Sequence, residues 1–270
     1  MKKILFKLYQ IVLWTAVPAI AQTNTNVNSV TELQTMVSAA STDSKFTLTD
    51  AFVTDFNSQA SAISLIINSS AKITVDGANL TLKAAVGKDH FSIGGSGEGT
   101  LTIQNIILTG LVEDTDLING EFPKDWSPNA SKIGGGITGG FSGYLKVENC
   151  LLSKMRPVSC GLSVTAKKVM VKESSFISLG VTDVYGGASV IYTRGSTSYE
   201  IEDCTFAYNF ARGSWANPSG VIYITVNVAE IISFKNSRFY KNTNCTAVKD
   251  GAAGGGAIAV KDAYPEKFIV

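Results

Sequence analysis

Six short stretches of this chain share one pattern: apolar and polar residues alternate, and at the fifth position the alternation breaks. They are ITVDG at 73–77, LTIQN at 101–105, LKVEN at 145–149, VMVKE at 169–173, YEIED at 199–203 and ISFKN at 232–236. The fifth residues are Gly77, Asn105, Asn149, Glu173, Asp203 and Asn236. Gly, Asn and Asp best tolerate a left-handed backbone conformation, so all but Glu173 suit a sharp corner. Uninterrupted alternation would bury the carboxylate of Asp203. A one-residue corner resets the phase, so that Tyr199 and Ile201 before it and Cys204 and Phe206 after it face one interior. The same reasoning turns Phe176 and Phe239 inward.

Each of the last five corners is followed, further on, by a glycine and a second type of strand: GGGIT at 134–138, CGLSV at 160–164, GGASVIY at 186–192, SGVIYIT at 219–225 and GGAIAV at 255–260. Successive corners lie 28, 44, 24, 30 and 33 residues apart, room for three short strands per unit. Units of this size cannot bury their own faces and are expected to stack. The expected fold is all-β: a right-handed parallel β-helix solenoid with three short strands per coil. Ile73, Leu101, Leu145, Val169 and Tyr199, each four residues before a corner, should then form one interior column.

Stacking also sets what lies outside. Asp76, Gln104, Glu148, Lys172, Glu202 and Lys235 precede the corners, and the last four alternate in sign, which favours register between neighbouring strands. This reads as a solvated ladder rather than a catalytic pair. Cys150 and Cys204 occupy the same post-corner position two units apart with Ser174 between them. Their Cα atoms would be about 9.6 Å apart, twice the strand spacing, too far for a disulfide. Both are expected to be small buried residues. Cys160 and Cys245 precede different glycine strands, and no CxxC or Cys/His metal spacing occurs.

The ends differ from the middle. Residues 1–21 begin MKKILFK, continue apolar and finish Ala19-Ile20-Ala21, the order of a secretory signal peptide. Lys7 and Gln10 interrupt the run of about 20 apolar residues a membrane span would need. Cleavage removes Lys2, Lys3 and Lys7, leaving 20 of the 23 basic residues against 22 acidic ones. That balance gives no electrostatic case for nucleic acid. Residues 22–45 hold Ser29 and Glu32 at capping-box spacing, with Val30, Leu33, Val37 and Ala40 near one helical face. They are expected to form a short N-terminal capping helix over the β-helix domain of 46–270. The last unit stops before its next corner, so an incomplete final coil is expected. Its open strand edge would either self-associate or be covered by a further domain.

ITVDGANLTL, the corner ladder and the helix cap resemble the pectin lyase-like superfamily of right-handed parallel β-helices. FAYN at 206–209, FYKN at 239–242 and GGAI resemble repeats of the chlamydial polymorphic outer-membrane proteins and related bacterial surface adhesins. Similar glycine-rich coils occur in secreted lyase-like proteins of Bacteroidetes. In superfamily enzymes substrate usually lies along the strands placed here after the glycines. A lyase would be expected to show acidic calcium ligands and an Arg or Lys base, and a hydrolase clustered aspartates.

Those strands carry no acid, base or histidine. Asp89, His90, Asp183, Arg194, Arg212, Lys249 and Asp250 are scattered over several units and read as exposed loop charges. The long segments after the corners, about 111–133 and 210–219, should gather on one side of a stack, whereas 153–159 and 179–185 are short. They carry Trp126 and Trp215, the only tryptophans left after cleavage. An aromatic ring offers a flat face to a sugar, with Asp125, Asn129, Arg212 and Asn217 as polar contacts. The expected function is a secreted or surface-displayed, adhesin-like binding protein for polysaccharide or a cell surface. No cofactor or metal is expected. The alternative is a polysaccharide lyase or related carbohydrate-active enzyme, in which calcium would enter.

Overall fold

The computed structural model describes residues 22–123, 133–157, 160–184, 190–194, 198–213, 221–225, 231–246, 257–261 and 267–269. It is predominantly β, with strands joined in parallel into three sheets among the described residues. The first sheet has nine strands: Thr23–Val27, Ser44–Leu48, Lys72–Asp76, Thr100–Gln104, Tyr144–Glu148, Lys168–Lys172, Ser198–Glu202, Ile231–Lys235 and Lys267–Ile269. The second runs through Thr81–Lys83, Ile107–Thr109, Leu151–Met155, Ser175–Val184, Thr205–Ala207 and Arg238–Tyr240, with Phe210–Gly213 and Thr243–Thr246 branching from it. The third holds Ile63–Ile66, Phe91–Gly94, Ile137–Gly140, Leu162–Thr165, Ile191–Arg194, Ile222–Thr225 and Ile258–Lys261. From Lys72–Asp76 onward the chain visits the three sheets in rotation, an arrangement compatible with a stacked parallel coil.

The first sheet fixes the register. Ile73 pairs with Leu101, Leu101 with Leu145, Leu145 with Val169 and Val169 with Tyr199, and each is at most 2% exposed. The expected interior column is therefore present. Past the corner, Phe176, Phe206 and Phe239 stack with ring centroids 5.1 and 4.8 Å apart.

The corners are left-handed as expected, with two differences. Glu173 has φ 48 although glutamate is not favoured there, matching Asn105, Asn149, Asp203 and Asn236 at 52, 48, 55 and 50. The fold imposes the conformation: the N–H of Asn149 donates to Lys172 O, that of Glu173 to Glu202 O and that of Asp203 to Lys235 O, each at 3.0–3.1 Å. At the first corner Ala78 and Asn79, not Gly77, have positive φ. Gly77 is required for space instead, since a Cβ there would lie 2.4 Å from Ile106 Cβ.

A second series of left-handed residues, Lys154, Ser178, Tyr208 and Lys241 (φ 51, 57, 57 and 49), bends the second sheet. It was not expected, and it corrects the count of three strands per coil. In the last two circuits it splits the middle strand, so that Phe210–Gly213 and Thr243–Thr246 are separate strands. Residues 153–155, 179–184 and 210–213 are thus strand rather than loop.

At the N-terminal end α1 (Val30–Ala39) buries Val30, Leu33 and Val37, and the Glu32 N–H donates to Ser29 Oγ at 3.2 Å. Glu32 Oε2 in turn accepts from the Asn28 N–H, one residue before the cap, at 2.7 Å. Two further elements sit beside it. The strand Thr23–Val27 pairs with Ser44–Leu48, and α2 (Asp50–Ser58) buries Phe52 and Phe56. Asp55 on α2 accepts from the Val30 N–H at 2.8 Å, tying the two helices. At the other end Ile258–Lys261 and Lys267–Ile269 are the last strands of the third and first sheets. No helix among the described residues is long and apolar enough to cross a membrane.

Candidate functional site

The functional candidates cluster where the chain leaves the second sheet and enters the third. Every such connection, after Lys83, Thr109, Met155, Val184, Gly213 and Thr246, starts from strands held in parallel register. Their ends therefore stack along one side. Gly134 and Arg156 join two of them directly, the Gly134 N–H donating to Arg156 O at 2.7 Å.

The longest connection begins as a strap across several circuits. The Val112 N–H donates to Lys154 O at 3.0 Å, and Asp114 pairs with Lys154 at 2.9 Å. Ile118 and Glu121 then close a two-residue hairpin around Asn119 (φ 53) and Gly120 (φ 80), the Asn-Gly turn that matches strand twist. Glu121 Oε1 meets Lys241 Nζ at 2.8 Å, 120 residues away in sequence. Val112, Phe122 and Phe210 form a small apolar cluster of their own, with Leu117 against it. The Phe122 and Phe210 rings are 5.8 Å apart. Sequence reasoning missed this strap, although Asn-Gly between Ile118 and Glu121 was a readable signal.

Of the residues expected to bind, Asp125, Trp126, Asn129, Trp215 and Asn217 lie outside the described residues. Arg212 lies in the strand Phe210–Gly213, aligned between Thr182 and Cys245, and its side chain is outside the description. The structure does show where the two tryptophan-bearing segments depart. One follows Phe122 and Pro123, the other Phe210 to Gly213, and Phe122 touches Phe210. Asp183, Arg194, Lys249 and Asp250 likewise have no described side chain.

Asp89 and His90 are not the exposed loop charges expected. His90 is fully buried. Its Nδ1 accepts from the Gly136 N–H at 3.1 Å, so the proton sits on Nε2, which donates to Leu82 O and Thr109 O at 3.0 and 3.1 Å. The ring thus joins the second sheet to the third. Burial pushes its pKa down to about 4, the two carbonyls opposing. A neutral imidazole with all its capacity satisfied has no lone pair for a substrate or metal. Asp89 Oδ2 accepts from Thr138 Oγ at 2.7 Å, while Oδ1 is buried with no hydrogen-bond partner. Burial pushes this carboxyl above its usual range, Thr138 partly opposing.

The outer face of the third sheet offers hydroxyls and rings. Ser64 aligns with Ser92, Ser92 with Thr138 and Thr138 with Ser163. Further along, Tyr192 aligns with Tyr223, their rings stacked at 5.7 Å and 21°. Among the described residues no group of three His, Cys, Asp or Glu could hold a metal ion.

Cys150, Cys160 and Cys204 are buried free thiols, and burial pushes their pKa values up to about 12, 12 and 11. Cys150 and Cys204 each donate to the carbonyl two residues back at 3.2 Å, as the hydroxyls of Ser174 and Ser237 do at 2.7 and 3.0 Å. They are turn-fixing residues, not nucleophiles. Cys245 has no described side chain. The charge ladder is in register, with Lys172 and Glu202 paired at 2.7 Å, while Glu148 turns to Lys146 on its own strand.

Compared with known proteins, the chain matches no family model and no curated protein.

Proposed function

We propose that this chain is an exported right-handed parallel β-helix that binds polysaccharide or a cell-surface glycan, adhesin-like, through the loops on one side of the stack. Three parallel sheets visited in rotation support the solenoid, and the strong preference for right-handed crossovers between parallel strands supports its hand. The basic-then-apolar segment of residues 1–21 supports export. The observation that carries the binding reading is the contact between Phe122 and Phe210. It roots the segments bearing Trp126 and Trp215 at one place on a rigid scaffold, where binding functions concentrate.

One observation favours the enzymatic alternative. Asp89, a half-buried carboxyl bonded to Thr138 on the third sheet, has the raised pKa of a proton carrier. A general acid or base needs a second group opposite, and His90 is committed to the backbone.

The test is retention on a glycan array of wild type and of a Trp126→Ala/Trp215→Ala variant, with thermal midpoints measured beside it. The proposal expects loss of retention at an unchanged midpoint. A variant that unfolds well below wild type makes the rings core and refutes the site. Incubation with acidic polysaccharides, with and without calcium, addresses the alternative: new ultraviolet absorbance from unsaturated products would establish a lyase.

A further inference from the structure

Two large rings stand at the second corner without serving the core. Phe206 and Phe239 point inward and stack, and the positions around them carry Tyr208 and Tyr240, which belong to none of the apolar clusters. Tyr240 is 53% exposed, among the most exposed large side chains described. Tyr208 has φ 57 in a column where Lys154, Ser178 and Lys241 share its conformation. A bulky residue in that region costs roughly 1–2 kcal/mol, and smaller types would fold as well. Folding therefore explains the bend and leaves the rings unexplained.

The surroundings supply an explanation. The rings of Tyr208 and Tyr240 meet edge to face, 5.5 Å apart at 89°. Lys241 Nζ lies 5.8 Å from one centroid and 5.6 Å from the other. It is held there by Glu121, brought from the hairpin of the strap. An exposed aromatic face and an ammonium with three donors, from the adjacent Tyr240 and Lys241, thus meet a carboxylate with acceptor capacity from distant Glu121. Because Lys241 and Glu121 neutralise each other, the place attracts neither anions nor cations.

We infer that Tyr240, with Tyr208, Lys241 and Glu121, forms a subsite for a neutral pyranose unit of a polysaccharide. The C–H face of the sugar stacks on Tyr240, one hydroxyl accepts from Lys241 and another donates to Glu121. This inference rests on the glycan reading for its ligand class. It adds a contact point on the second corner that does not use the tryptophans.

The test is native affinity electrophoresis in gels containing a mannan, a β-glucan, a galactan or polygalacturonate. The full-length mature protein should be retarded by at least one neutral polymer. Tyr240→Ala should weaken that retardation about tenfold in apparent affinity, as expected for one lost aromatic contact, with an unchanged thermal midpoint. Tyr240→Phe, which keeps the ring, should stay within about twofold of wild type. Retardation by polygalacturonate alone, by no polymer, or equally for wild type and Tyr240→Ala would overturn the subsite. The Trp126→Ala/Trp215→Ala variant separates the two claims. If it loses retardation while Tyr240→Ala keeps it, the tryptophan site stands and the subsite falls; the opposite pattern supports the subsite and removes the tryptophan site.

Discussion

The side-chain amide of Asn209 donates to Asn242 Oδ1 at 2.9 Å, and the backbone N–H of Asn209 donates to the same oxygen at 3.0 Å. Each asparagine repeats one role a circuit apart. Asn209 Nδ2 also donates to Phe176 O at 3.0 Å and its Oδ1 accepts from the Leu179 N–H at 3.0 Å, while Asn242 Nδ2 donates to Phe206 O at 2.8 Å. The Phe-x-x-Asn motif is therefore a device for a bent sheet. The phenylalanine fills the core, the residue before the asparagine takes the left-handed bend, and the asparagine satisfies the backbone that the bend leaves unpaired.

Replacing Asn209 by Ala should consequently be costly. It strands a buried Leu179 N–H, an orphaned donor that costs about 1–3 kcal/mol, and removes the amide bond to Phe176 O. Urea unfolding should show a loss of about 3 kcal/mol. Asn242→Ala, at a half-exposed position, should cost less. A loss below that of Asn242→Ala would contradict the role given to Asn209.

Much of this fold was legible in the sequence, for a physical reason. Ile73, Leu101, Leu145, Val169 and Tyr199 repeat at a fixed offset because sheet register demands it, and the corners need residues that accept positive φ. The second corner was not legible, because the fold forces Lys154, Ser178, Tyr208 and Lys241 into one conformation without asking for one residue type. α2 escaped notice because no side chain caps its start at Thr49, leaving only the spacing of Phe52 and Phe56 as a sign. The strap depends on Glu121 and Phe122 meeting Lys241 and Phe210, contacts that no local pattern encodes.

Glu173 offers a stabilising change. Its left-handed backbone carries a penalty that asparagine largely escapes. Asn149 Nδ2 already donates to Asn105 Oδ1 at 2.8 Å, and an amide at 173 would extend that ladder by one step. Glu173→Asn should add about 1 kcal/mol of stability and raise the thermal midpoint. An unchanged or lower midpoint would show that the corner carries no strain.

His90 predicts a pH dependence. An unfolded chain binds a proton near 6.5, whereas the folded ring resists it until about 4. Between those values the unfolded state holds more protons, so stability is full above 6.5 and falls as pH drops towards 4. The fall from this one group amounts to about 3 kcal/mol. Asp76 acts in a lower window. Burial pushes its carboxyl up, but Lys45, the Ala78 N–H, Gln104 and Asn105 outweigh that and bring it to about 2 from 3.8, so its contribution is lost only as pH falls below 3.8. His90→Gln should flatten the unfolding midpoint between pH 6.5 and 4, whatever it costs at neutrality. A slope as steep as in wild type would place the titration elsewhere.

Asp89 should behave in the opposite sense. Its folded pKa is raised, so ionisation opposes folding at neutral pH. Asp89→Asn keeps an acceptor for Thr138 and puts a donor amide where Oδ1 now has no partner. Thermal unfolding at pH 7 should show the variant at least as stable as wild type, with the advantage shrinking as pH falls. A clear loss at pH 7 would mean that the carboxylate has a stabilising partner.

The binding account is tested most directly by tryptophan emission. In a chain prepared without residues 1–21, Trp126 and Trp215 are the only indoles, so the signal comes from the proposed site alone. Titrating that protein with the polysaccharide that retains it should change the emission intensity or wavelength in a saturable way, with a midpoint matching retention. Saturating retention with unchanged emission, or no retention by any polysaccharide, would contradict the claim that the two tryptophan-bearing loops form one glycan-binding site.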